Sequence, residues 1–157
     1  LMGAAISDYP QINELCKYIL DANLEMSVAS FRADSVTKEL VEALVKSGLK
    51  TLTVAPEVGS KKMCAVVNKN LTEENIFNAV ELGIAAGLKN FKLYFMIGLP
   101  TETFDDLDGI ADIARNIMDI KKRSARGGRF SVTVSVSVLS LYARSSIVLP
   151  PFTSVSS

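Results

Sequence analysis

The chain has 157 residues, 48% hydrophobic and 22% charged, enough for one folded domain with a real core. Lys plus Arg balance Asp plus Glu at 17 each, which offers neither a basic field for nucleic acid nor an acidic tail. Histidine is absent and cysteine occurs twice, at Cys16 and Cys64; this excludes Ser-His-Asp and Cys-His catalysis, His-based zinc sites and a disulfide framework, and favours a reducing cytoplasm.

Leu1–Ile6 reads as the end of a buried strand rather than a natural start, so the chain is expected to be a fragment. It shows neither a secretory signal pattern nor an apolar run of membrane-spanning length, and no membrane partner is expected. Short apolar runs follow in order at Met2–Ile6, Met26–Ser30, Thr51–Ala55, Phe91–Ile97 and Ser131–Val138, and helical periodicity follows each of the first four. Runs apolar on both faces suit a parallel sheet covered by helices. Thr37–Ser47 reads as a helix closed by Gly48. Thr72 caps the next, with Glu73 and Glu74 in its first turn, a Leu71–Ile76 staple, and Gly87 at its end. Thr103 caps a third, with Asp105 and Asp106 in its first turn and Leu107, Ile110, Ala111, Ala114, Ile117 and Met118 on one face. The expected fold is α/β, about five parallel strands with outer helices. Lacking a Gly-x-Gly-x-x-Gly after any strand, it suits a barrel-type layout better than a dinucleotide-binding sheet.

In such folds the loops after the strands carry function. Here they are Ser7–Pro10, Ser30–Asp34, Ala55–Ser60 and Gly98–Thr103, which bring Asp8, Arg32, Glu57 and Glu102 to one rim. Each alone reads as a cap or a solvated charge; four together, with Gly and Pro shaping two loops, favour a ligand site. Glu57 follows a buried strand and can accept hydrogen bonds from a hydroxylated or cationic ligand. Arg32 can meet a carboxylate ligand, or pair with Asp34 or Glu57. Gly98 lets the backbone approach whatever occupies the mouth.

The strings SFRADSVTKELVEALVKSG, LTVAPEVGSKKM with VNK after it, and KLYFMIGLPTET resemble the middle and later strands of radical S-adenosylmethionine (radical SAM) enzymes. They look most like the subgroup often fused to a cobalamin-binding domain. The similarity runs from about Met2 to Val138. It implies a partial TIM-like (βα)6 barrel in which a 4Fe–4S cluster cleaves S-adenosylmethionine to a 5′-deoxyadenosyl radical. It also implies a cluster held by three cysteines in a CxxxCxxC loop after the first strand. That loop is missing here, so the chain is expected to begin at the second barrel strand. It should lack turnover without the N-terminal part of the same barrel. Cys16 and Cys64, on separate expected helices, read as small core residues.

Carried over by this resemblance, Glu57 matches a polar residue that ends the fourth barrel strand and approaches S-adenosylmethionine. Lys69 matches a basic position near the cofactor carboxylate. Ser30 and Arg32 match the end of the third strand. Ser7 and Asp8 sit where the second strand presents groups to the methionine amino end, although relatives have Gly-Gly-Glu where this chain has Ala4-Ala5-Ile6-Ser7. Gly98, Leu99 and Pro100 match the turn near the adenine. No metal ligand is assigned within the chain, cobalamin is a further candidate cofactor, and the substrate is not named.

The barrel fragment is expected over residues 1–138. Residues 139–157 form an atypical tail, read as disordered or frameshifted, with Pro150-Pro151 and a Ser/Thr-rich end. The basic run Lys121–Arg129 reads as a solvated helix end rather than a nucleic-acid patch. Two other readings remain open: a lyase-type βα barrel using Glu57 and Lys69 for acid–base work, and a non-catalytic ligand-binding βα domain.

Overall fold

The computed structural model describes residues 9–24, 28–124 and 128–139. In chain order the elements are α1 (Ile12–Asp21), a 3₁₀ turn (Ala33–Ser35), α2 (Lys38–Lys46), β1 (Thr51–Glu57), α3 (Lys61–Val66), α4 (Glu73–Ala86), β2 (Asn90–Ile97), α5 (Phe104–Arg123) and β3 (Ser131–Val138). The strands form one parallel sheet in the order β1-β2-β3. Thr51 aligns with Asn90, and Asn90 with Ser131. This is the α/β layering expected from the sequence.

The expected five strands reduce to three among the described residues. Met2–Ile6 lies outside them. Of the second run, Met26–Ser30, only residues 28–30 are described and none of them lies in a strand; Phe31, just after the run, forms an isolated parallel bridge to Val54, donating to Thr53 O at 2.8 Å and accepting from Ala55 N at 3.2 Å. The chain then turns at once into Ala33–Ser35, where Ser35 N reaches Arg32 O at 3.2 Å, so a second pairing residue cannot follow.

Side chains on the covered face of the sheet are buried completely: Leu52, Val54, Phe91, Leu93 and Phe95. α4 lies against them through Ala79, Val80 and Gly83. Gly83 is required there, because a Cβ would come within 2.7 Å of the Phe91 ring. The caps on α4 fall where the sequence places them. Thr72 forms a capping box with Asn75, and Gly87 closes the helix at φ 101°. Leu71 and Ile76 are both buried.

On α5 the expected face is rotated. The buried stripe is Asp106, Ile110, Ile113, Ile117 and Ile120, while Met118 is exposed. Four isoleucines spaced three and four apart track the 3.6-residue turn more closely than the predicted set does. On β3, Val132 packs against the core, but exposure rises through Val134 and Val136 to 71% at Val138. No helix among the described residues is long and apolar enough to cross a membrane.

Candidate functional site

The carboxyl end of β1 departs from regular geometry. Val54 aligns with Leu93 but Glu57 with Phe95, a bulge that takes in Ala55 and Pro56. Glu57 emerges from it at φ 73°, an uncommon conformation for a residue with a side chain. Its Oε1 lies 2.7 Å from Lys69 Nζ, and that ammonium also donates to Ala55 O at 3.0 Å. Lys69 arrives from the opposite side because α3 stops through Asn68 at φ 51°, after which Lys69 N bonds back to Cys64 O. The Lys69 side chain is only 13% exposed, against 36% for Glu57. The lysine is thus held in place while the carboxylate keeps an open side.

Arg32 does not pair with Glu57. It forks onto Asp34, Nε to Oδ1 at 3.1 Å and one terminal nitrogen to Oδ2 at 2.8 Å. Those hydrogen bonds hold the Asp34 carboxyl below the usual carboxylate range, and the charge of Lys69 adds to the effect. Ser30 is half-buried just before this pair. Ser7 and Asp8 lie outside the described residues. In the loop after β2, Gly98 and Pro100 are exposed and Leu99 is half-buried. Gly98 has φ 83° and donates its N–H to Glu102 Oε2 at 2.6 Å, so Glu102 closes its own turn.

One cluster on the rim has no counterpart among the predicted site residues. Asp106, in the first turn of α5, is 7% exposed. It accepts from Thr103 N at 2.8 Å and Thr103 Oγ1 at 2.7 Å, from Ser60 Oγ at 2.6 Å, and from Lys62 Nζ at 2.5 Å. Bonds from Lys62, Ser60 and Thr103 hold its carboxyl far below the usual range. Folding therefore stabilises the ionised form. That contribution is complete above about pH 5, where an unfolded aspartate is fully ionised, and is lost progressively as pH falls through about 4 toward the lowered folded value. Acidification from pH 7 to pH 3 should lower the melting temperature of the wild type more than that of Asp106→Asn. Parallel melting curves for the two proteins would remove the role given to this carboxylate.

Behind the end of β1 is a cleft of about 620 Å³, bounded by residues 58–61 and by Cys64, Lys69, Leu71, Ile76 and Ile113. Pro56 near the end of β1 and Val58, Gly59 and Ser60 of the rim loop after it line it, whereas Arg32, Glu57 and residues 98–100 do not; among the described residues carried over from the resemblance, it touches Lys69. Cys16 is a core residue as expected, whereas Cys64 is only half-buried beside this cleft. Burial raises the pKa of both thiols and keeps them protonated.

Residues 1–114 match the model of the radical SAM superfamily. The chain belongs to the radical SAM superfamily. It is 36% identical over 117 residues to an uncharacterized protein of Methanocaldococcus jannaschii, an alignment covering 74% of this chain and 26% of that protein. In fold it is similar to the Escherichia coli coproporphyrinogen III oxidase HemN, whose structure is described as that of a radical SAM enzyme. The TM-score is 0.52 at 20% identity, over 79% of this chain and 28% of HemN. The chain spans about a quarter of each of these two proteins.

The radical SAM family uses a 4Fe–4S cluster, and the residues of this chain do not fit one. Two cysteines in the sequence cannot supply three thiolates, and the two sit on separate helices, α1 and α3. Among the described residues, no group of three His, Cys, Asp or Glu side chains could hold a metal ion.

Proposed function

We propose that this radical SAM chain supplies part of an S-adenosylmethionine-binding barrel mouth, with Glu57 and Lys69 as cofactor contacts. The observation that carries this reading is the Glu57–Lys69 pair at the carboxyl end of a parallel strand, where α/β folds bind their ligands. The open side of the Glu57 carboxylate suits the hydroxyls of a ribose. Lys69 already uses two of its three donors, on Glu57 and on Ala55 O. One is left for an anionic group such as the cofactor carboxylate. In the family, bound S-adenosylmethionine is the source of the 5′-deoxyadenosyl radical. Cluster thiolates for that chemistry would have to come from residues outside this chain. The placement beside the cobalamin-fused subgroup rests on the sequence around Phe31, Glu57 and Gly98.

The test is titration of the isotope-labelled chain with S-adenosylmethionine, following the backbone amide signals of Glu57, Lys69 and Gly98. Binding is expected to be weak, about millimolar, and to shift these three signals together. Glu57→Gln and Lys69→Met should each weaken it by about ten- to a hundredfold, the loss of one charge-assisted hydrogen bond of roughly 1.5–3 kcal/mol. A lyase-type barrel using the same pair for acid–base work would show no response to S-adenosylmethionine. Neither would a βα domain built for another ligand.

A further inference from the structure

We propose that Asp106 is a positioning residue that sets the spacing between the two rim loops and so brings both walls of the S-adenosylmethionine site to the ligand in register. The inference rests on the cofactor reading above and extends it to a residue that touches no ligand.

The sheet does not fix this spacing. The β1–β2 ladder ends at Glu57 and Phe95, so no ladder pair joins residues 58–60 to residues 98–103. Each loop is closed internally instead. Gly98 bonds to Glu102 within one, and in the other Ser60 caps α3 by accepting from Met63 N at 3.2 Å. Asp106 joins them. Its Oδ2 accepts both Thr103 groups at the end of the β2 loop, and its Oδ1 accepts the hydroxyl of Ser60. Lys62 crosses the same gap in the other direction, reaching Asp106 and also donating to Thr101 O at 3.0 Å. Beneath these bonds the backbones meet directly. A Cβ on Gly109 would fall 2.1 Å from Gly59 O, and one on Gly59 would fall 2.4 Å from Asp106 O. One buried carboxylate therefore ties the loop that begins at Glu57 to the loop that begins at Gly98.

A residue that only capped α5 would need Thr103 alone. The bonds to Ser60 and Lys62 do nothing for α5 itself and act only between loops. Misplacing a contact by 1 Å can cost roughly a hundredfold in function; loosening a loop that keeps its other bonds should cost less.

The experiment uses the full chain with Asp106→Asn, Lys62→Met, Lys62→Arg and Ser60→Ala. Each is measured by melting temperature, by S-adenosylmethionine titration and by amide hydrogen exchange in residues 57–60 and 98–103. Lys62→Met and Ser60→Ala are expected to weaken binding about tenfold and to raise exchange in both loops together. Lys62→Arg should restore both readouts. Ile117→Val, a core change far from the rim loops in sequence, controls for general destabilisation. It should lower the melting temperature without changing affinity. If it weakens binding as much as Lys62→Met does, or if Lys62→Met and Ser60→Ala bind like the wild type, the positioning role is overturned. Exchange that rises in one loop alone overturns the coupling whatever the affinity. A wild-type chain that gives no titration response overturns the cofactor reading instead, and the exchange data still decide whether Asp106 couples the loops.

Discussion

Gly109→Ala should destabilise the protein by about 2 kcal/mol, although the helix propensity of alanine alone would stabilise α5 by about 1 kcal/mol. The contact reverses the sign. The new Cβ would lie 2.1 Å from Gly59 O and 2.9 Å from its carbonyl carbon, so main chain rather than a flexible side chain must move. Overpacking against a fixed neighbour costs about 1–3 kcal/mol and occasionally more, which exceeds the propensity gain. At about 2–8 °C per kcal/mol for domains bracketing this size, the melting temperature should fall by several degrees in a thermal scan followed by circular dichroism. A variant melting at or above the wild type would mean that α5 does not seat on the β1 loop in this way.

Phe91→Ala should have the larger effect, a loss of about 3–5 kcal/mol. Phe91 is 1% exposed, lies against Gly83 of α4, and has its ring centroid 5.2 Å from that of Phe130, with the rings tilted by 38°. Truncation would open a cavity among main-chain atoms and rings that cannot collapse into it. The informative partner is Val136→Ala, on the same face of the sheet. Its side chain is 49% exposed, so a change of only about 0.5 kcal/mol is expected there. Denaturant unfolding of the two variants measures the contrast. Similar losses for both would show that β3 is covered in solution and that burial on this face is misassigned.

Much of the fold is legible in the sequence because its determinants are local. Thr51–Ala55, Phe91–Ile97 and Ser131–Val138 become strands, and Thr72, Gly87 and Gly48 end helices, through patterns only a few residues wide. Next to the described part of the second predicted strand, residues 28–30, pairing is limited to the single bridge at Phe31, because the 3₁₀ turn right after Arg32 stops it there. The buried stripe of α5 is misread because alanines at 111 and 114 count as apolar in a pattern, whereas the sheet selects the longer isoleucines at 113 and 120. The rim is harder. Glu57 and Lys69 stand out through resemblance, but their contact depends on the reversal at Asn68. Asp106 is visible only as an acidic first-turn residue. Its bond to Ser60 spans 46 positions, which no local pattern encodes.

The parallel ladder has a consequence for how fast the molecule can assemble. Thr51 must find Asn90 across α3 and α4, and Asn90 must find Ser131 across α5. Neither pairing can start from a tight hairpin, so loop-closure entropy opposes every strand contact before any ladder bond repays it. α4, with its own capping box and with Gly83 seated between Leu52 and Phe91, is the element on which β1 and β2 can meet. Because β1 and β2 both pack on α4, substitutions that weaken α4 are expected to slow sheet formation, measured by stopped-flow refolding.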